Sequence, residues 1–292
     1  MKKTAHSEYG FLAEVFLKSV EHSFINQATL EQHWKSHNFL SIPDYNEALK
    51  EYSSFRKIFE DNVTRIFEFP ADVSTTIDSI YCRDASIQTD GGVILCTMGK
   101  ALRKHEPTAC GNYYSSAGHK ILGVIEAPGT VEGGDVAWLD EKTLAVGYGY
   151  RTNAEGIRQL RKFLEPQGVE VIEVDLPHYK GPTDVFHLMS VLSPVDKDLA
   201  VVYSPLMPVR FRNYLLDRGM QLVEVPDSEF DTLGCNVLAI APRKCVIEKG
   251  NPVTAARLRE AGTEVITFSG SHICVPGGGG PTCLTRPVAR MV

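Results

Sequence analysis

The stretch Gly277-Gly-Gly-Gly-Pro-Thr-Cys283-Leu-Thr-Arg-Pro287, close to the C-terminus, decides how the rest of the chain is read. Four glycines in a row serve neither a helix nor a strand, because each costs backbone entropy on folding. They suit a place where the backbone turns sharply or approaches something closely. Cys283 follows directly, and then a short apolar run to Val292. A thiol at the mouth of a glycine-rich turn, where a strand begins, is placed as a nucleophile would be.

Working back from Cys283, the same pattern recurs: a polar residue, an apolar strand, a turn and a second strand. It is seen from Asp84 to Cys96, from Glu132 to Val146, from His187 to Val202 and from Gly234 to Ile247. The stretch from Cys283 to the end is half of such a unit, which the apolar N-terminal strand over 11–20 would complete. The spacing of roughly 50 residues is that of a repeat architecture. Between the strand pairs, Asn153 to Leu164 places Ile157, Leu160 and Leu164 on one helical face, and 208–219 and 254–261 read similarly. Residues 43–61 form an amphipathic helix introduced by Pro43-Asp44. Ser23 to Gln27 reads as a loop. Short strands follow the later helices at 169–174, 221–225 and 264–268, so the class is α/β, in one domain spanning 1–292.

Composition narrows the function. A net charge of −6 gives no basic face for nucleic acid. No run of about 18 apolar residues is present to span a membrane, and no apolar segment follows Met1-Lys2-Lys3 as in a secretory signal. Seven cysteines, an odd number mostly inside apolar strands, fit reduced thiols in the cytoplasm. No Cys-x-x-Cys pair occurs, and neither a metal nor a cofactor is expected.

In a closed ring of repeats, equivalent strand starts converge. Asp84, Glu132 with Asp135, His187 and Cys283 would then share one central site. A thiol that attacks, an imidazole that moves protons and carboxylates that hold a planar cation make a covalent-catalysis set. A guanidinium suits such carboxylates, because it pairs through a fork of N–H bonds. His22, His33, His37, His105, His119, His178 and His272 show no such placement and read as surface or structural residues.

With Arg83-Asp84, Glu132-Gly-Gly-Asp135, His187-Leu and Gly-Gly-Gly-Pro-Thr-Cys283 in this order, the chain resembles the guanidino-group-modifying superfamily. That superfamily holds arginine deiminases, dimethylarginine dimethylaminohydrolases, agmatine deiminases and amidinotransferases. The resemblance runs from about residue 10 to the C-terminus and is strongest to the dimethylarginine hydrolases, through His187-Leu-Met-Ser190 and the short chain. It implies a five-bladed pseudo-symmetric α/β propeller, a pentein, with the site in its central channel. It implies Cys283 as nucleophile, His187 as general acid and base, and Glu132 as a carboxylate that touches the guanidinium and supports His187. By the same resemblance Asp84 and Asp135 bind guanidinium nitrogens, Arg103 and Arg151 bind the substrate α-carboxylate, and Asn26 lines the mouth. Arginine deiminases carry an aspartate two residues after the histidine, where this chain has Met189.

The expectation is a cysteine-dependent hydrolase that turns arginine or N-methylated arginine into citrulline, with a small-molecule guanidino substrate as its partner. An amidinotransferase and a non-catalytic guanidino-binding protein are the alternatives, and a homodimer is compatible with the sequence.

Overall fold

Five small mixed sheets carry the chain in this computed structural model, which describes residues 1–292. Each sheet is built in the same way. Two strands pair antiparallel, a helix crosses over, and a third strand returns parallel to the second. The second sheet has β4 (Ser86–Thr89), β5 (Gly92–Leu95), α4 (Glu106–Ser116) and β6 (Ile121–Val124). The third has β7 (Val136–Asp140), β8 (Thr143–Tyr148), α5 (Ala154–Leu164) and β9 (Glu170–Asp175). The fourth has β10 (Leu192–Asp196), β11 (Leu199–Val202), α6 (Val209–Asp217) and β12 (Gln221–Glu224). A helical turn, α7 (Asp227–Phe230), leads to the fifth, with β13 (Leu238–Ala241), β14 (Lys244–Glu248), α8 (Pro252–Glu260) and β15 (Glu264–Phe268).

The first sheet closes the ring. It begins with β1 (Lys3–Thr4) and β2 (Phe11–Leu17), continues through α1 (Val20–Ser23), α2 (Gln27–His33) and α3 (Tyr45–Asn62), and ends with β3 (Arg65–Glu68). Its missing strand is the last of the chain, β16 (Thr285–Met291), inserted between β1 and β2. Arg286 pairs with Phe16, Arg290 with Leu12 and Thr4 with Arg290. The half unit expected at the C-terminus is therefore completed by the N-terminal strand, and the five-bladed propeller is the observed fold.

The two kinds of strand differ as their surroundings require. The opening strands β4 and β13 are buried throughout; β13 (Leu-Ala-Ile-Ala) reads as a continuous apolar run, whereas β4 (Ser-Ile-Gln-Thr) buries polar residues as well. They lie around the axis: β10 packs against β7 and β13, and β16 packs against β4. The returning strands β3, β9 and β15 form outer edges, and the glutamates of β9 and β15 blunt them.

Local signals account for most helices. Asp44 caps α3 by accepting from Glu47 N at 2.9 Å, and Asn153 caps α5 by accepting from Gly156 N at 2.8 Å. Ile157, Leu160 and Leu164 of α5 are fully buried, as their spacing predicts. Two segments differ from expectation. Residues 23–27 are the joint between α1 and α2, where Asn26 caps α2. The helix α4 has no apolar stripe: only Glu106, Pro107, Gly111 and Tyr114 of it are buried, and small and polar residues fill the rest. No helix is long and apolar enough to cross a membrane.

The segment that leads into the glycine run is held from the first blade. Glu51 of α3 is buried, and its carboxylate accepts from Ser269 Oγ at 2.7 Å and from the backbone N–H groups of Ser271, His272 and Ile273 at 3.0, 2.7 and 3.2 Å. One carboxylate thus satisfies four donors of a turn that has no sheet to bond to. Removing it leaves these N–H groups without partners, and hydrogen bonds to a charged group contribute about 1.5–3 kcal/mol net. Glu51→Ala is expected to lower unfolding stability by about 3 kcal/mol, read by urea denaturation. A loss under about 1 kcal/mol would show that the turn holds itself.

Candidate active site

The five opening strands follow turns that carry a thiol or polar side chains, and those before four of the strands line one cavity. Cys283 precedes β16, Asp84 precedes β4, Glu132 and Asp135 precede β7, His187 precedes β10, and Asn236 precedes β13. A cavity of about 300 Å³ opens here, at the lower end of the size range of small-ligand pockets. Cys283, His187, Asp84, Asn236, Arg103 and Arg151 are on its wall, together with Met189 and Tyr81.

The glycine run makes room for the sulfur. Gly278 has φ +73°, which a side chain disfavours, and a Cβ on Gly280 would stand 2.5 Å from Asn236 Oδ1. Gly280 O receives the N–H groups of Cys283 and Leu284, both at 3.0 Å, so the thiol sits on a tight turn. Asn236 reaches it from the next blade. Its Oδ1 accepts from Thr282 N at 3.0 Å and from Thr282 Oγ1 at 2.8 Å. With the oxygen held twice, the amide nitrogen faces the other way and donates to Cys283 Sγ at 3.3 Å. Burial, and next the carboxylate of Asp84, push the Cys283 thiol up; hydrogen bonds from Asn236 and Thr282 and the charge of Arg83 oppose this.

His187 opens the short turn before β10, and its Nε2 lies 2.8 Å from Glu132 Oε2. Burial disfavours the imidazolium, but Asp135, Asp84 and Glu132 together raise His187 to about 9. Burial likewise works against the Glu132 carboxylate, yet His187 and the Arg151 guanidinium hold it below its ordinary value. The pair is therefore an imidazolium beside a carboxylate at neutral pH.

The two arginines expected at the substrate's carboxylate are turned inward. Arg103 donates from Nη1 to Asp84 Oδ2 at 2.5 Å, from Nε and Nη2 to Glu106, and from Nη2 to Tyr81 O. It buttresses Asp84 and is nearly saturated. Arg151 donates from Nη1 to Glu132 Oε2 at 2.9 Å, and its second arm makes only a 3.3 Å contact with Asp184 O. Asp84 keeps one buried oxygen, Oδ1, without a hydrogen-bond partner.

Two expected residues stand elsewhere. Asp135 is fully buried behind the wall, where Oδ2 accepts from Thr152 Oγ1 at 2.7 Å and Oδ1 from Leu188 N at 3.1 Å. It fixes the turn that carries His187 and does not face the cavity. Burial raises it to about 6, against the pull of His187. Asn26 is exposed, and its side chain is engaged in capping α2, away from the cavity wall. Glu132 too is covered, by His187, Arg151 and the backbone N–H of Lys100. Conversely, His37 is buried on the cavity wall. Asn236, the polar residue that opens the fourth strand pair, is not among the residues that the sequence singles out. Its position in the repeat was the signal, and its neutral side chain hid it.

Asp84, Glu132 and His187 bring donor atoms within 4.8 Å of one another, the spacing of a metal site. Both carboxylates are already matched to arginine guanidiniums, so the donor set fits a planar organic cation better than a compact metal ion.

A family model described as N,N dimethylarginine dimethylhydrolase, eukaryotic, matches residues 24–290. A Bacillus subtilis protein known as YkgA, itself uncharacterized, is 25% identical over 99% of this chain and 96% of its own. An arginine deiminase of Mycobacterium avium is 30% identical over 72% of this chain, which spans 60% of that protein. Among solved structures, a cysteine-to-serine variant of the dimethylarginine hydrolase of Pseudomonas aeruginosa, in complex with citrulline, superposes with TM-score 0.76. It is 22% identical and covers 94% of this chain and 99% of its own. An amidinotransferase of Microseira wollei superposes with TM-score 0.78 at 18% identity, covering 99% and 97%. At these identities the superpositions speak for the fold.

The Asn236 contact has a measurable consequence. Asn236→Leu removes the donor that favours the thiolate, and one unit of pKa is about 1.4 kcal/mol or a factor of ten. Iodoacetamide labelling of Cys283 at pH 7, followed by mass spectrometry of its peptide, is expected to slow about tenfold. Unchanged labelling would mean that the 3.3 Å contact does not act on the sulfur's charge.

Proposed function

The chain belongs to the dimethylarginine dimethylhydrolase family, and from that premise we propose that it hydrolyses an N-methylated arginine to citrulline and a methylamine. One observation carries the reading: Asp84, which lines the same cavity as the Cys283 thiol and the His187 imidazolium, keeps its buried Oδ1 without a hydrogen-bond partner. A buried carboxylate oxygen without a donor is costly unless a ligand supplies one, and a guanidinium N–H does so with its charge matched.

The substrate guanidinium docks on Asp84 with its central carbon over Cys283. Its positive charge beside the sulfur offsets the effect of Asp84 and favours the thiolate. Sγ adds to the carbon; the His187 imidazolium donates its proton to the substituted nitrogen; the C–N bond breaks and the amine leaves. A thiouronium carbon remains on Cys283. Neutral His187 then takes a proton from water, the hydroxide adds, and the C–S bond breaks as the new hydroxyl loses its proton to solvent, where the departed amine takes one up; the ureido group of citrulline is released with the thiolate restored and His187 protonated again. Glu132 keeps the imidazole oriented and charged, and Asp135 holds the backbone from which it projects.

Arg151 is the group we assign to the α-carboxylate. Its second arm is weakly held, so an anionic ligand at the cavity mouth competes for it, and its departure uncovers Glu132 for the incoming guanidinium. Arg103, by contrast, keeps Asp84 in place.

Met189 favours the methylated substrate. It lies on the cavity wall two residues from His187 and offers no acceptor. A plain guanidinium would leave N–H groups unpaired against it, whereas N-methyl groups carry no such donors and gain from apolar contact. The expected kcat/KM is therefore greater for N-methylated arginines than for arginine, by about ten- to a hundredfold for one or two unmatched donors. Met189→Asp is expected to narrow or reverse that ratio. Assays of the ureido product, citrulline from arginine and its methylated forms and N-carbamoylputrescine from agmatine, test both points. Equal use of all these substrates, or no ureido product from any, would defeat the proposal.

The protonation of His187 sets the pH dependence. Its pKa is raised to about 9, so the proton needed by the leaving amine is present at neutral pH and is lost as pH climbs through 9. In wild type, log kcat/KM should fall by about one unit per pH unit above 9. His187→Gln should abolish turnover of an N-methylated arginine and leave no thiouronium adduct on Cys283 by mass spectrometry, because the amine cannot leave without the proton. An alkaline limb near the ordinary histidine value would remove Glu132 and Asp135 as its electrostatic partners.

A further inference from the structure

Away from the catalytic cavity lies a buried cluster of three arginines with a single carboxylate among them. Arg83, Arg286 and Arg290 are 0%, 3% and 1% exposed, and Glu8, at 4%, is the carboxylate set among them. They come from different parts of the ring. Arg83 precedes β4, Arg286 and Arg290 lie on β16, and Glu8 lies between β1 and β2. Their contacts tie blades together. Arg83 Nη2 donates to Glu8 Oε1 at 2.8 Å, which also receives Trp138 N of β7 at 3.4 Å. Arg286 Nη1 donates to Ser86 O of β4 at 2.9 Å and to Arg83 O at 3.3 Å. Arg290 Nη1 donates to Gly10 O at 2.7 Å and to Ala239 O of β13 at 2.9 Å.

Four guanidinium nitrogens are left over. Nε and Nη1 of Arg83 and Nε and Nη2 of Arg290 are buried and have no partner. Guanidiniums stay charged inside proteins, and backbone carbonyls satisfy their hydrogen-bonding without cancelling charge. Three cations against one carboxylate leave two positive charges at the axis. The arginines feel one another there: burial first, and then neighbouring guanidiniums, bring Arg286 and Arg290 down to about 10, still charged at neutral pH.

We propose that a small monovalent inorganic anion, of which chloride is the type, is bound on the channel axis between Arg83 and Arg290. It would accept from the unpartnered nitrogens and halve the excess charge. Water could accept the same hydrogen bonds but would leave that charge in place. The full burial of these nitrogens excludes an organic carboxylate of any length. The site is distinct from the catalytic cavity, whose wall does not include these arginines. It is nevertheless coupled to that cavity through the backbone, because Arg83 N donates to Cys283 O at 3.2 Å and Arg83 adjoins Asp84. The anion would therefore tie the start of β4, next to Asp84, to the far end of β16, the strand that Cys283 leads into.

The test uses the whole protein, exchanged into sodium gluconate and titrated with sodium chloride at constant ionic strength. The melting temperature is expected to climb by about 2–4 °C for each tenfold rise in chloride beyond the dissociation constant. Arg290→Gln should abolish that dependence. Crystals grown in sodium bromide should show an anomalous peak within hydrogen-bond distance of Arg83 Nε or Nη1 and of Arg290. This measurement needs no variant, so it decides the matter if Arg290→Gln fails to fold. Ordered water without anomalous signal at that position, or melting indifferent to chloride in wild type, would overturn the proposal.

Discussion

The pairing of β16 with β2 is the contact on which the rest depends. It joins the two ends of the chain, so that Arg286 stands opposite Phe16 across almost the whole sequence. Without it there are four repeats and two loose strands, and no axis toward which strand starts can converge. With it, the residue before β16 becomes the neighbour of those before β4 and β13, and Cys283 acquires both Asp84 and Asn236. A contact this distant in sequence is expensive in loop-closure entropy. The buried apolar strands around the axis repay it, and the arginines of β16 reinforce it by bonding to carbonyls of β4 and β13.

Placing a thiol, an imidazole and several carboxylates in one buried space raises a problem of charge. The protein solves it by pairing each group before substrate arrives. Glu132 is neutralised by His187 and Arg151, Asp84 by Arg103, and Arg103 in turn by Glu106. Glu132 and Asp84 are thus each paired with a guanidinium, the same chemical group that the family's substrates carry. Selectivity for a guanidinium is in this sense written into the resting site. Asp135 shows the alternative course: with hydrogen bonds but no arginine beside it, burial moves it upward.

Where sequence and structure part, local patterning was weak or the residue was neutral. The helix α4 was invisible because it packs Gly111 and Tyr114 and has no repeating apolar face. The loop read over 23–27 concealed a helix start, since Asn26 signals a cap and a turn equally well. Asn236 opens a strand pair as Asp84 and His187 do, but an amide announces no acid–base chemistry. Its importance comes from the direction in which Thr282 turns it.

The sequence by itself determined the number of repeats, the strand starts and the residue types at them, because periodicity and glycine-rich turns are local properties of the chain. It also determined that Cys283, His187, Asp84 and Glu132 would meet, given closure of the ring. Only the tertiary structure decided which of them face the cavity and what each one touches. Asp135 went behind the wall, Glu132 came to be covered by Arg151, Arg103 was spent on Asp84 and Glu106, and Asn236 reached the sulfur. These outcomes turn on distances of about 3 Å between side chains from different blades. Such distances depend on how the blades lean together about the axis, and no spacing along the chain encodes that.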